Sequence, residues 1–161
     1  HACRVHRRLA PDALGLHALD QRRRLVQVVR PGRDVTVISY LSMVSRCCEA
    51  AERLGVDAEV IDLRSLDRAG IDWETIEASI RRTNNVLVVE QGPIGTAYGG
   101  LLGDEIQRRF LDWLDQPVQR VHGGEASPSI SKVLERAACA DLEEVEAGLR
   151  TVMAAQGRPL D

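Results

Sequence analysis

At 161 residues and 44% hydrophobic, with no internal repeat, the chain is sized for one globular domain that buries roughly two thirds of its unfolded surface. No apolar run approaches the roughly 20 residues of a membrane span and no signal-peptide order opens the chain, so the expectation is a soluble, cytoplasmic protein without membrane contact. The formal charge of −3 hides an asymmetry: residues 1–33 hold eight Arg and two Asp, a local +6, so the other residues must carry −9.

That basic segment, "RVHRRLAPDALGLHALDQRRR", has the arginines of a nucleic-acid arm but no aromatic residue for stacking. It precedes an acidic body that would repel the same phosphates. A solvated linker is the expectation, with no nucleic-acid partner.

"DVTVISY" (Asp34–Tyr40) is β-branched and follows Pro31 and Gly32, which predicts a strand. Met43, Val44, Cys47, Cys48, Ala51 and Leu54 then recur at helical spacing, with Gly55 as the stop. Cys47 and Cys48 are read as packing residues, and all four cysteines as reduced, because the chain has no CxxC pair. "DAEVIDL" (Asp57–Leu63) predicts a second strand, and "DWETIEASIRRT" a second helix N-capped by Asp72. "NVLVVEQ" (Asn85–Gln91) is nearly all apolar, as suits a strand buried on both faces.

Five glycines follow, Gly92, Gly95, Gly99, Gly100 and Gly103. Strand, glycine turn and helix is the order of a nucleotide site, but the G-x-G-x-x-G spacing is absent. Gly95 to Gly100 has P-loop spacing and is followed by Leu101 and Leu102 instead of Lys and Ser/Thr. The next helix is expected over Asp104–Leu114, so Asp104 and Glu105 would satisfy its positive end and leave no place for a phosphate. The loop is therefore read as a close-packed turn.

"PVQRVHG" (Pro117–Gly123) predicts a further strand with His122 near its end. Two helices close the chain, one after Ser127 and Pro128, the other with Asp141 and Glu144 at capping-box spacing. Alternating strands and helices argue for an α/β fold, a mostly parallel sheet between helix layers. His1, His6 and His17 lack metal-ligand spacing, and no nucleophile–base set stands out. Catalytic, cofactor and metal residues are all expected to be absent. A small-molecule site formed by Gly92, Gly95 and His122 is the alternative, because open α/β sheets place ligands at their strand ends.

"GRDVTVISY", "DAEVIDLRSLDRAGIDWETIEASIRRTNNVLVVEQGP", "DEI" and "LDQPVQRVHG", in that order, resemble the C-terminal domain of transketolase-like enzymes. They resemble specifically the beta subunit of the thiamine-dependent decarboxylase component of 2-oxo acid dehydrogenase complexes, whether for pyruvate, branched-chain 2-oxo acids or acetoin. The resemblance runs from Val26 to Gln156, leaving residues 1–25 as a linker from a preceding domain and 157–161 as a tail. "VHRRL" (Val5–Leu9) resembles the end of that preceding, pyrimidine-binding domain, which places the start of this chain near a domain boundary.

The resemblance implies a three-layer α/β/α fold, mostly parallel with one antiparallel edge strand. It implies thiamine diphosphate and magnesium in the complete enzyme but none on this chain, whose Gly103-Asp104-Glu105 and upstream Asn84-Asn85 do not reproduce the cofactor motif. It also implies an assembly role. The partners would be the alpha subunit or preceding domains, a second beta subunit in a homodimer through Tyr98, Leu101 and Leu102, and the lipoyl-bearing acyltransferase core through Asp115 and Asp161.

Overall fold

The computed structural model describes residues 26–125 and 130–160. The basic segment 1–25, Ser127, Pro128 and Asp161, with every expectation attached to them, lie outside it.

Five strands form one sheet: β1 (Gln27–Arg30), β2 (Val35–Ser39), β3 (Ala58–Asp62), β4 (Val86–Pro93) and β5 (Gln119–Gly123). Their spatial order is β1-β3-β2-β4-β5. Pairing is parallel throughout except between β1 and β3, which run antiparallel with Gln27 opposite Asp62. The helices are α1 (Met43–Leu54), α2 (Trp73–Thr83), α3 (Gly99–Phe110), α4 (Lys132–Ala138) and α5 (Leu142–Ala155).

Side chains alternate across β2, so one strand feeds two cores. Val35 and Val37 join Val60, Leu87 and Val89 on one face, where α1 contributes Val44 and Cys47 and α5 contributes Val145, Leu149 and Val152. Ile38, Ile61, Val86 and Val88 face the other way, onto Ile76 and Ile80 of α2 and Leu102 and Ile106 of α3. Each such buried aliphatic side chain contributes about 1.5–3 kcal/mol. The three-layer α/β/α architecture expected from the sequence is the one observed. Thr36 and Ser39 are the polar exceptions inside β2: the Thr36 hydroxyl bonds those of Ser79 and Thr83 at 2.6 and 2.7 Å, and the Ser39 hydroxyl donates to the Val89 carbonyl at 2.9 Å.

Helix ends follow local chemistry where the signals are local. Asp72 caps α2 by accepting from the Thr75 N–H at 3.1 Å. Asp141 and Glu144 form the capping box of α5. Gly55 closes α1 in the left-handed conformation, φ 64°. Cys47 and Cys48 are both buried on α1, as their spacing requires. Cys47 and Cys139 are free thiols.

One boundary differs substantially. α3 starts at Gly99, five residues before the expected Asp104, and ends at Phe110, with a 3-10 turn over Leu111–Trp113. Asp104 and Glu105 therefore lie in its second turn. There they bond Arg108 and Arg109 four residues on, at 3.2 and 3.1 Å, instead of capping the helix.

Candidate functional site

The C-terminal ends of parallel strands are where this architecture places ligands. The end of β4 there carries a fully buried carboxylate, Glu90. It accepts three hydrogen bonds: from the Tyr40 hydroxyl at 3.1 Å, the Gly99 N–H at 2.5 Å and Arg120 Nη2 at 2.8 Å. Tyr40 follows β2, Gly99 opens α3 and Arg120 lies on β5, so one side chain ties three elements to the sheet. Burial, then the charge and hydrogen bond of Glu90, raise the Tyr40 hydroxyl well above its ordinary pKa, which keeps it a donor.

This arrangement explains the glycine loop. The N-terminus of α3 does hold an anion, and the anion is Glu90. Gly99 is required because a Cβ there would stand 2.5 Å from Glu90 Oε1. The turn is close-packed as expected, but the carboxylate that satisfies the helix comes from the preceding strand. With both Glu90 oxygens occupied, the cluster ties the loop after β2, the start of α3 and β5 to the sheet.

The residues proposed for a small-molecule site, Gly92, Gly95 and His122, lie in the following surroundings. Gly95 borders open space, and Gly92 meets only the Ala97 Cβ. His122 Nδ1 lies 2.7 Å from the neighbouring Gly123 carbonyl and so donates to it. Among the described residues no group of three or more His, Cys, Asp or Glu is placed to hold a metal ion. Burial pushes the Cys47 thiol up to about 12, which makes it inert as a nucleophile. Among the described residues no helix is long and apolar enough to cross a membrane.

Of the proposed interface residues, Leu101 is 41% exposed while Leu102 is 1% exposed and belongs to the α2/α3 core. Leu102 is thereby removed from any contact surface: with the helix starting at Gly99, its side chain turns inward. Tyr98 is half-buried against the same core. What the spacing of the loop did not reveal is a wider apolar edge. Leu41, Ile94, Leu101, Ile130, Val133 and Leu134 are all exposed, and each lies on a segment that leaves the C-terminal end of a strand. Ile130, Val133 and Leu134 stand at i, i+3 and i+4, one face of α4 and the residues before it. Backbone bonds from Ile94 to Gly124 and from Gly124 to Ala138 join this helix to the β4 loop.

The opposite edge is polar. A cleft of about 490 Å³ there is lined by Arg33, Asp34, Arg82, Asn85, Asp115 and Arg158, among others. Asp115 is exposed at its rim and its carboxylate has no partner among the described residues. Asp34 binds Arg158 with both oxygens, at 2.6 and 3.4 Å, and accepts from the Asp57 N–H at 3.0 Å.

Burial pushes the Asp34 carboxyl up, but those hydrogen bonds and the charges of Arg158 and Arg30 outweigh it and hold the pKa below 3.8. A depressed folded-state pKa stabilises the protein above the ordinary value, and the contribution is lost as pH falls through the lower folded value. Asp34→Asn is therefore expected to destabilise the domain at pH 7 and to flatten the acid limb of its stability below about pH 4. Urea unfolding of parent and variant across that range measures it, and an equal deficit at neutral and acid pH would contradict it.

The profile described as "Transketolase, C-terminal domain" matches residues 25–145. The beta subunit of the mitochondrial pyruvate dehydrogenase E1 component of Dictyostelium discoideum is 35% identical over 122 residues, 74% of this chain and 34% of that protein. The 2-oxoisovalerate dehydrogenase beta subunit of Pseudomonas aeruginosa is 38% identical over 96 residues, 60% of this chain and 27% of that protein. The 3-methyl-2-oxobutanoate dehydrogenase beta subunit of Mycobacterium tuberculosis is 41% identical over 100 residues, 60% of this chain and 28% of that protein. The chain thus spans about a third or less of the length of these relatives. In fold it is similar to a split-gene transketolase solved as an inactive beta4 tetramer, with TM-score 0.65 and 23% identity over 81% of this chain and 41% of that one.

Proposed function

The chain belongs to the transketolase C-terminal domain family, and from that premise we propose that it is the assembly and partner-docking domain of a 2-oxo acid dehydrogenase beta subunit. The whole enzyme would carry out thiamine diphosphate-dependent oxidative decarboxylation. The observation that carries the assembly role is the apolar edge. A soluble domain that leaves Ile130, Val133 and Leu134 in water on one helix face is built to have that face covered. In this reading the alpha subunit or the other domains of the enzyme cover it, and exposed Leu101 with half-buried Tyr98 would contact a second beta subunit. The polar edge, with Asp115 outward, would receive the acyltransferase core.

The chain would hold no cofactor of its own. Asp104 is bonded to Arg108, Asn84 to the Trp113 carbonyl, and Asn85 to Thr83 and Gln116, so these three residues are engaged within the domain and not gathered around a metal-bound diphosphate.

The test is assembly with the cognate alpha subunit and the remaining beta-subunit domains, comparing parent with Val133→Asp/Leu134→Asp. Both side chains are already exposed, so thermal stability should stay near that of the parent. Association should weaken by about 2 kcal/mol or more, the scale of an interface hot spot. Co-elution of the double variant at parental stoichiometry and affinity would refute the reading.

A further inference from the structure

We propose that the polar cleft at the N-terminal ends of β2 and β4 binds a small zwitterion, a molecule carrying one ammonium and one carboxylate, with Arg33 taking the carboxylate and Asp115 the ammonium. The proposal stands apart from the assembly role, because every residue it uses lies on this chain. At about 490 Å³ the cleft falls within the range of small-molecule sites, about 300–1,000 Å³. Its wall is built from the turn before β2, the turn between α2 and β4, the residues before β5 and the end of α5. The backbone under both charged residues is fixed. Gly32 lets the first turn press onto β3, where an added Cβ would stand 2.2 Å from the Ala58 carbonyl carbon, and the Arg33 and Asp34 N–H groups both donate to the Asp57 carbonyl, at 2.7 and 2.9 Å. Across the cleft the Asp115 N–H donates to the Asn84 carbonyl at 2.9 Å. Gln116 Nε2 donates to Asn85 Oδ1 at 2.6 Å and to the Val152 carbonyl at 3.2 Å. A wall held in this way loses little further entropy on binding.

Charge pairing selects the ligand. On the wall Arg158 is paired with Asp34, and Arg82 with buried Glu59. Arg33 and Asp115 remain, both exposed and neither in an ion pair among the described residues. A simple anion would gain Arg33 but face Asp115, and a simple cation the reverse, so a ligand with both charges is the one that gains at both positions. The amides point to the same chemistry. Asn84 Nδ2, Gln116 Nε2 and Gln156 Nε2 donate to the carbonyls of Trp113, Val152 and Asp34, which can only accept, so the orientation of each amide is fixed and its oxygen has no partner among the described residues. Amide oxygens are acceptors for an ammonium, which has three hydrogens to donate. Ala155 alone among the lining residues is apolar, so the ligand is small and polar.

The experiment titrates glycine, β-alanine and γ-aminobutyrate, in which the two charges stand progressively further apart, into the full chain at low salt, with acetate and ethylamine as single-charge controls. Calorimetry gives the affinity and amide NMR shifts give the location. One of the zwitterions is expected to saturate in the millimolar range or below and to shift the amides of Arg33, Asp115 and Gln116, with acetate and ethylamine at least about tenfold weaker. Arg33→Ala and Asp115→Asn should each weaken it about tenfold, the scale of one hydrogen bond to a charged group, at unchanged melting temperature because both side chains are exposed. Asp112→Asn, at an exposed acid outside the cleft, should leave the affinity unaltered. Absence of saturation for all three zwitterions overturns the proposal. So does acetate or ethylamine binding as tightly as the best zwitterion, which would make this a site for a simple ion, and so does parental affinity in either the Arg33 or the Asp115 variant.

Discussion

Replacing Glu90 by alanine is expected to destabilise the domain by about 3 kcal/mol or more, the usual consequence of removing one partner from a buried, hydrogen-bonded charge pair. Three donors lose their acceptor at once: the Tyr40 hydroxyl, the Gly99 N–H and Arg120 Nη2. Water can reach only part of the deficit. The Arg120 side chain keeps 24% exposure and can recover some solvation, whereas the Gly99 N–H is buried at the helix start. Arg120 Nε is already buried without a partner, so the guanidinium has little other support on its inner side. Glu90→Gln should cost less, because it keeps the shape and one acceptor oxygen but turns an amide NH2 toward a donor. The measurement is the urea midpoint with an unchanged slope. Amide exchange at the first turn of α3 should accelerate in parallel. A loss below about 1 kcal/mol for the alanine variant would mean that the network is incidental to the fold.

Gly123→Ala is expected to be comparably severe, about 3 kcal/mol or more, for a steric reason. A Cβ there would stand 2.2 Å from the Ala138 carbonyl oxygen and 2.8 Å from that of Gln91. Both obstacles are backbone, so no rotamer change relieves them. Either β5 shifts away from β4 or α4 lifts off the sheet end, and the second outcome would also displace Val133 and Leu134 from the proposed assembly face. Gly95→Ala is the control, since nothing lies within 4 Å of its added Cβ. It should change stability by less than about 0.5 kcal/mol. Equal midpoints for the two alanine variants would contradict the close packing argued for Gly123.

The elements that the sequence determined by itself are those whose causes are local. β-branched runs predicted β2 and β3, a short apolar run predicted β4, and the alternation with helices predicted a parallel sheet between two layers. Gly55, Asp72 and the Asp141–Glu144 pair marked helix ends, because a cap is a contact between residues within a turn of each other. β1 escaped the reading of residues and was anticipated only through the family resemblance, since four residues with two exposed offer no periodicity to read.

Tertiary structure decided the rest. The start of α3 depends on Glu90, nine residues away on a strand, and no local pattern announces that a strand carboxylate will fill a helix terminus. Leu101 and Leu102 are neighbours of one residue type, yet one faces solvent and the other the core, according to where that helix begins. Gly95 and Gly123 are likewise indistinguishable until the chain returns to place Ala138 against one of them. Local free-energy terms act within a few residues and are written in order along the chain, whereas the identity of a buried partner or an uncovered face is set by packing between segments far apart in it.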